Sequence, residues 1–304
     1  MRALIILISL CLFICACKKY NTSITLSPEL VTNTYYTDDI AVTDDGDLYG
    51  IINNNTVFIY TDRGILPFNQ ALGSGPGEIK HITMIKTHEN KLYVYDKGNS
   101  RFAVYSPEQG FTETFPVTEN VYSFAIINNT LCYTIAEDYQ NNDPVIHTPD
   151  SVIDAIRFDP KYKQRILIES SKKNIILGFD CFKPAIYVYD VEHELMEKIT
   201  LKGKWKNTTS PSSTPILIDL AIDDNNGLIF AALRGDKYDS TSEIHIVNMN
   251  GRELARVILP VNNEAKTADV RIAVDQKKMI LYTVDQSSIR KVDYEAIAIQ
   301  NNMN

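Results

Sequence analysis

The chain repeats one short unit, which consists of an apolar strand, a turn rich in Asn, Asp and Gly, and a second apolar strand. Five copies have their turns near residues 46, 90, 129, 226 and 277. The distance from 129 to 226 is about twice the other distances, which indicates one more copy between them. A period of roughly 40–50 residues with strands at each repeat is typical of the blades of a propeller.

The missing copy is predicted from strands at residues 174–179, 185–190 and 197–201. Its first strand is not evident, and residues 140–164 are expected to form an insertion or an irregular blade. Third and fourth strands also follow several of the other turns. Together they predict an all-β fold, a six-bladed β-propeller over residues 34–304 with about four antiparallel strands per blade.

A propeller must also close its ring of blades. Residues 24–26 and residues 34–36 are the two candidates for the strand that completes the last blade. The partners expected for this strand are residues 288–290 and 296–299, which are read as the final strands of the chain. The choice between the two candidates stays open at the level of the sequence.

The chain begins with a short secretory signal. Met1 and Arg2 supply one positive side chain, and residues 3–16 are apolar apart from one serine. This run has 14 residues, whereas a membrane-spanning helix needs roughly 20. A charged start, a short apolar core and a small residue before the cut predict a signal peptide over residues 1–16, with cleavage between Ala16 and Cys17.

The sequence Ile-Cys-Ala-Cys at residues 14–17 resembles the lipobox of bacterial lipoproteins. This resemblance implies that Cys17 becomes the lipidated first residue and that residues 17–33 tether the domain to a membrane. Cys15 departs from the pattern, where Ser, Thr or Ala is more usual. The alternative is a simple cleaved signal that leaves Cys17 as an ordinary thiol. The basic residues 18–19 favour the periplasmic face of the outer membrane, because surface-exported lipoproteins of Bacteroidetes often carry acidic residues there.

Composition narrows the classes of partner. Removing Arg2 with the signal leaves 29 of the 30 basic residues against 38 acidic ones, a net charge of −9. Nucleic acid is therefore not expected as a partner, because phosphate binding needs concentrated basic charge.

Cys132 and Cys181 lie about one repeat apart. A disulfide between them and two separate buried thiols are both open readings.

One blade carries a specific motif. A Gly-Pro-Gly-Glu turn occupies residues 75–78, and an Asp-x-x-Asn-x-Arg link joins two strands at Asp96, Asn99 and Arg101. With these residues the chain resembles the six-bladed, TolB-like propeller lipoproteins of Bacteroidetes, which are relatives of the NHL-type propellers. The resemblance implies a fold and a cell-envelope location, and it implies no reaction.

No segment carries a recognisable catalytic or cofactor motif. The glycines at 73–77 lack the Lys-Ser/Thr ending of a phosphate-binding loop and are read as a turn. The acidic runs at 44–47 and 223–227 lack the glutamate that an EF-hand needs and are read as hairpin turns. The five histidines, which show no metal-binding spacing, are His81, His88, His147, His193 and His245.

The sequence therefore predicts no catalytic, cofactor-binding or metal-ligating residues and no cofactor. We expect a lipid-anchored binding or protein-interaction module with a protein or glycan partner at the cell envelope. The alternative is a lactonase-like or lyase-like propeller enzyme that holds a metal at the central channel. Three or four Asp, Glu, Asn or His side chains that converge at the channel axis would favour the metal-dependent enzyme over the binding module.

Overall fold

A computed structural model describes residues 24–303 of the chain, apart from residues 34–36, 62, 69, 107, 137–144, 154–164, 171–173, 181–184, 191–194, 201–215, 235–241, 260–269 and 286–287. The described residues form a ring of six small antiparallel sheets, which confirms the predicted six-bladed propeller. This part of the chain holds no helix with the length and hydropathy that a bilayer crossing requires.

The first two strands precede the blades, and the strands of blades 1 and 2 follow. They are β1 (Ile24–Leu26) and β2 (Glu29–Asn33), then β3 (Thr37–Val42), β4 (Leu48–Ile52), β5 (Thr56–Thr61) and β6 (Gly64–Pro67) of blade 1, the short parallel pair β7 (Ala71–Leu72) and β8 (Glu78–Ile79), and β9 (Ile82–His88), β10 (Lys91–Asp96), β11 (Arg101–Ser106) and β12 (Gly110–Pro116) of blade 2.

Blades 3 and 4 follow the same order from the axis outward. Their strands are β13 (Val121–Ile127), β14 (Thr130–Ile135), β15 (Ile146–His147) and β16 (Val152–Ile153) of blade 3, and β17 (Arg165–Ser170), β18 (Asn174–Asp180), β19 (Ala185–Asp190) and β20 (Leu195–Thr200) of blade 4. The two outer strands of blade 3 have two residues each and lie within residues 140–164, where we expected an insertion or an irregular blade. Residues 140–144 and 154–164 of that stretch lie outside the described residues. The first strand of blade 4, which was not evident in the sequence, is β17.

Blades 5 and 6 receive the two ends of the chain. Their strands are β21 (Ile216–Asp223), β22 (Leu228–Arg234), β23 (Glu243–Asn248) and β24 (Glu253–Ile258) of blade 5, and β25 (Arg271–Asp275), β26 (Ile280–Asp285) and β27 (Ser288–Asp293) of blade 6, after which comes helix α1 (Glu295–Asn302).

The ring is closed by β2, which pairs antiparallel with β27 as the outermost strand of blade 6. Neither expected closing segment is seen in that place: β1 pairs in parallel with β24 of blade 5, and residues 34–36 lie outside the described residues. Residues 296–299, predicted as a strand, lie in helix α1, so that prediction is wrong. Asp293 accepts a hydrogen bond from the Glu295 N–H at 2.8 Å where the helix begins, and the other end of the helix is held by hydrogen bonds from Asn301 and Asn302 to Asn226 of blade 5.

The core lies between the blades rather than inside any one of them. In the described part of the chain the buried apolar residues form six clusters, one at each interface between neighbouring blades, including the interface of blade 6 with blade 1. Each sheet is therefore covered on both faces, which explains strands that are apolar on both sides.

Cys132 lies in the cluster between blades 3 and 4 as a free thiol, and burial raises its pKa to about 12. Cys181 lies outside the described residues.

Candidate functional site: the mouth of the central channel

The first strand of each blade lines the central channel, and polar side chains tie these strands together in pairs. Asp39 of blade 1 accepts a hydrogen bond from the Ile85 N–H of blade 2 at 2.9 Å. Ser123 of blade 3 accepts one from Ile168 of blade 4 at 3.1 Å, and Asp219 of blade 5 accepts one from Ile272 of blade 6 at 2.8 Å. These three residues occupy equivalent positions, so the bridge recurs at every second blade.

A second set of hydrogen bonds runs from side chains of blades 2, 4 and 6 to backbone carbonyl oxygens of blades 1, 3 and 5. The Thr87 hydroxyl donates to the carbonyl oxygen of residue 42, and the Ser170 hydroxyl donates to that of residue 126. The Gln276 amide donates to the carbonyl oxygen of residue 222 in the same way. Blades 1 and 2, 3 and 4, and 5 and 6 are therefore each joined in both directions at the channel wall.

The strand register defines one equivalent position in all six first strands. The residues there are Ala41, Lys86, Ala125, Glu169, Ala221 and Ala273. Four of these are alanine, which leaves space beside the two long charged side chains. The Lys86 Nζ and Glu169 Oε2 atoms are 2.5 Å apart, so this ion pair connects blade 2 with blade 4 past the intervening blade 3.

The ion pair lies in a strongly interacting group of buried charges. Burial lowers the pKa of Lys86, but Glu169 opposes this effect and, together with Asp219 and Asp39, raises the pKa above its ordinary value. The lysine is therefore held in its charged form. Burial raises the pKa of Asp39 to about 6, against the opposing effect of Arg271 and with a further increase from Asp219.

A cavity of about 360 Å³ opens above the ion pair at the end of the channel where the first hairpin of each blade lies. All six blades contribute to its wall. Lys86 and Glu169 both line it, and their side chains remain 23% and 15% exposed. Its apolar wall includes Ile40, Ile126 and Ile222. Its volume falls within the range of roughly 300–1,000 Å³ that is usual for ligand pockets.

The hairpins around this mouth are linked to one another. Asp45 of blade 1 accepts from Lys277 of blade 6 at 3.0 Å and from Asn90 of blade 2 at 2.7 Å. His88 Nε2 of blade 2 lies 2.7 Å from Asn129 Oδ1 of blade 3. Four consecutive hairpins thus form a connected rim, which holds the cavity open in a defined shape.

Among the described residues that line the cavity, three carry carboxylates at the rim: Asp44, Glu89 and Asp224. Lys277 also lines the cavity and is paired with Asp45. The Oδ1 atom of Asp224 is buried and has no hydrogen-bond partner among the described residues. The mouth therefore offers carboxylate acceptors to a ligand that carries hydrogen-bond donors.

The Gly-Pro-Gly-Glu motif lies elsewhere and has a structural role. Arg101 donates to the carbonyl oxygens of Gly75 at 2.9 Å and Glu78 at 2.5 Å. Asn99 donates to Gly73 at 2.9 Å and to Asp96 at 2.6 Å. The motif locks the loop before blade 2 onto the end of β10 that is farther from the mouth. Reading these glycines as a turn is confirmed, and Gly77 has a positive φ of 73° that such a turn requires.

A second buried charged cluster lies on the outer strands of blade 5. His245 Nδ1 lies 3.2 Å from Glu253 Oε2, and His245 Nε2 lies 3.3 Å from Glu243 Oε2. Arg256 Nε donates to Glu253 Oε1 at 2.6 Å. Burial opposes ionisation of Glu253, but the bonds from His245 and Arg256 outweigh it and lower the pKa of Glu253 to about 2.

The other candidate residues are dispersed. Cys17 and Ala16 of the lipobox lie outside the described residues, as does His193. The acidic runs at 44–47 and 223–227 form the first hairpins of blades 1 and 5. Among the described residues, no group of three His, Cys, Asp or Glu side chains is placed to share an ion.

Sequence reasoning missed Lys86, Glu169, Asp39 and Asp219. A signal was present, because the first strands of blades 1 and 5 read Asp-Ile-Ala-Val and Asp-Leu-Ala-Ile at residues 39–42 and 219–222. Similarly, residues 85–87 and 168–170 read Ile-Lys-Thr and Ile-Glu-Ser. Alignment of the blades on one another would have shown charges at equivalent positions of otherwise apolar strands.

No family model and no curated protein sequence matches the chain. Its fold is similar to that of streptogramin B lyase, with 13% identity, a TM-score of 0.51 and coverage of 87% of this chain and 95% of that one. It is also similar to the WD40 β-propeller domain of Doa1, with 11% identity, a TM-score of 0.54 and coverage of 90% and 99%. Chaetomium thermophilum Raptor matches with 12% identity, a TM-score of 0.52 and coverage of 87% of this chain but 29% of Raptor.

These similarities, together with the ring of blades, define the chain as a β-propeller protein. At this level of identity they establish the fold alone, because one fold supports many unrelated functions.

Proposed function

We propose that the protein is a lipid-anchored β-propeller of the cell envelope that binds a protein or glycan partner at the mouth of its channel. The observation that carries this proposal is the cavity of about 360 Å³ with the partly exposed Lys86–Glu169 ion pair at its base. Concave sites with apolar walls and a few fixed polar groups are the usual form of ligand pockets.

The chemistry of the mouth suits a ligand with hydroxyl or amine donors. The carboxylate side chains of Asp44, Glu89 and Asp224 line the cavity and supply acceptors at its rim. Lys86 can donate to a ligand oxygen while it stays paired with Glu169. One sugar unit, or one polar side chain from a loop of a partner protein, has the size and the mixture of donors and acceptors that this arrangement accommodates.

Photo-crosslinking in cells of the native organism tests the mouth as the site. A photoreactive phenylalanine analogue replaces Glu89 at the rim of blade 2, and the matched control replaces Glu113 on the exposed outer strand of the same blade. We expect a discrete crosslinked product from position 89 alone. We also expect the double variant Lys86→Met, Glu169→Leu to abolish it. Equal products from both positions, or no product from position 89, would refute binding at the mouth.

The anchor at Cys17 is the second part of the proposal, and the Ile-Cys-Ala-Cys sequence at residues 14–17 supports it. We infer the periplasmic side of the outer membrane from the lysines at 18–19, and the propeller type from the TolB-like motif of blade 2. Incorporation of labelled palmitate into the full chain, compared with the Cys17→Ser variant, tests lipidation. A chain that takes up no label and fractionates with soluble envelope proteins would contradict the anchor.

A further inference from the structure

The exposed apolar residues of this propeller are concentrated where the two ends of the chain meet. Four of the seven exposed large apolar side chains in the described residues belong to β1, β2, helix α1 and the residue that directly follows this helix. They are Ile24, Leu30, Ile299 and Met303, with exposed fractions of 42%, 48%, 45% and 81%. Single exposed apolar residues are ordinary, but a gathering of them marks an interaction surface.

The packing shows that these elements share one region of the ring. Leu26 of β1 packs against the apolar cluster between blades 5 and 6, which also contains Ile297 and Ala298 of helix α1. Ile24 lies on the same face of β1 as Leu26, because side chains two residues apart in a strand point the same way. Ile299 and Met303 lie four residues apart and share one face of the end of the helix.

Leu30 lies on the neighbouring strand. Leu30 lies opposite Arg290 of β27, and Arg290 shares a face of that strand with Val292 of the cluster between blades 5 and 6. Leu30 therefore faces the side of blade 5. We call the surface formed by Ile24, Leu30, Ile299 and Met303 the apolar edge. It combines the outermost strands of blades 5 and 6 with the end of helix α1, which contacts the first hairpin of blade 5 on the side of the mouth.

The chain length before β1 decides what covers this edge. Cys17 precedes Ile24 by seven residues, and a fully extended chain spans at most about 3.3–3.6 Å per residue. A lipid on Cys17 would therefore hold Ile24 within about 25 Å of the membrane. This tether enters at the apolar edge and at no other part of the ring, because β1 is its first strand.

We propose that the apolar edge docks on the lipid bilayer that anchors Cys17. The proposal rests on the lipid anchor proposed above. Docking places the outer strands of blades 5 and 6 and the neighbouring mouth-side end of helix α1 against the membrane. The lysines at 18–19 add attraction to anionic head groups between the anchor and the edge.

Lipid-contact fluorescence tests this arrangement in the full lipidated chain. Trp205, the single tryptophan of the sequence, is replaced by Phe, and a new tryptophan is introduced by Met303→Trp or, as control, by Leu72→Trp. Leu72 is 62% exposed and lies on β7 between blades 1 and 2. Both chains are reconstituted into phosphatidylethanolamine–phosphatidylglycerol vesicles with and without brominated acyl chains, which quench tryptophan on contact.

We expect brominated lipid to remove most of the fluorescence of the Met303→Trp variant and little of that of the Leu72→Trp variant. Ile24→Asp in the Met303→Trp background should restore the fluorescence, because it places a charge on the docked edge. Palmitate labelling of the same samples reports the anchor separately. Labelled chain without quenching would overturn docking and leave the anchor standing, whereas chain without label would overturn both.

A third outcome shows whether the apolar edge is covered by protein instead of lipid. If the emission of the Met303→Trp variant shifts to the blue but bromination leaves it unquenched, another protein or a second copy of the chain covers the edge. Docking on lipid is then wrong.

Discussion

The sharpest prediction concerns the Lys86–Glu169 ion pair in the channel, and it is tested by the substitution Lys86→Met. The two charged atoms of this pair are 2.5 Å apart. At an effective dielectric constant of about 20, charges at this distance attract by about 6–7 kcal/mol before the cost of desolvation is counted. Breaking a buried pair from one side costs about 3–5 kcal/mol, because the remaining charge is left uncompensated. Since both side chains stay partly exposed, we expect Lys86→Met to destabilise the propeller by about 2–4 kcal/mol.

The double variant Lys86→Met, Glu169→Leu removes both charges. Because replacing a buried pair by apolar residues is often close to neutral, we expect this variant to regain most of the stability lost in either single variant. The measurement is urea unfolding followed by circular dichroism, together with thermal unfolding. For a domain of this size each kcal/mol shifts the midpoint temperature by about 2–4 °C.

The control pair uses an exposed contact of the same kind. Lys277 and Asp45 are 3.0 Å apart on the rim, with side chains 62% and 64% exposed. Surface pairs contribute about 0–1 kcal/mol, so Lys277→Met should change little. If Lys86→Met and Glu169→Leu destabilise additively, or if Lys86→Met costs no more than Lys277→Met, the ion pair does not connect blade 2 with blade 4 as described.

Three further predictions concern the contacts around the site. Arg101→Lys should cost about 1–2 kcal/mol and speed hydrogen exchange at residues 73–79, because a lysine cannot hold two loop carbonyls as a guanidinium does. Tyr294→Phe should cost about 1–3 kcal/mol in urea unfolding, because it removes the hydroxyl that donates to buried Asp223 at 2.8 Å. Glu253 has its pKa lowered to about 2 in the folded chain, below the value of about 4.3 in an unfolded one. Its carboxylate therefore stabilises the fold above pH ~4.3, and this contribution disappears as the pH falls toward 2. The stability difference between Glu253→Gln and the unaltered chain should be largest at neutral pH and shrink over that interval, and a difference independent of pH would contradict the stabilisation of the Glu253 carboxylate by His245 and Arg256.

The repeat was readable because each hairpin is specified locally. The turns at 89–90 and 128–129 have positive φ at both central residues, which Asn and a polar neighbour tolerate. The apolar strands on either side are required by the interfaces between blades. Local turn chemistry and two-sided burial therefore agree, and that agreement makes a blade recognisable from sequence.

The ring-closing strand β2 and helix α1 could not be predicted from the sequence, because their structure depends on residues that are distant in the chain. Glu29–Asn33 is an outer edge strand whose Leu30 is exposed, so it carries little of the apolar pattern of the inner strands. Residues 296–299 alternate Ala and Ile, which suits a strand as well as a helix. The helix is fixed by Asn301 and Asn302, which donate to Asn226 in the first hairpin of blade 5 at 2.8 and 2.9 Å. That contact cannot be read from a local pattern.

Two periods are superposed in this chain, and they explain why the fold was predictable while the site was not. The period of one blade sets the apolar pattern, whereas the hydrogen bonds of Asp39, Ser123 and Asp219 recur every two blades. Lys86 and Glu169 interrupt a position that alanine fills in the other four blades. Burial of a charge is costly unless it is paired. A charged residue at this position therefore needs a partner of opposite charge, and Lys86 and Glu169, in two different blades, are partners of each other. Departures from the shorter repeat, compared between blades, are therefore where the functional site of a propeller such as this one should be sought.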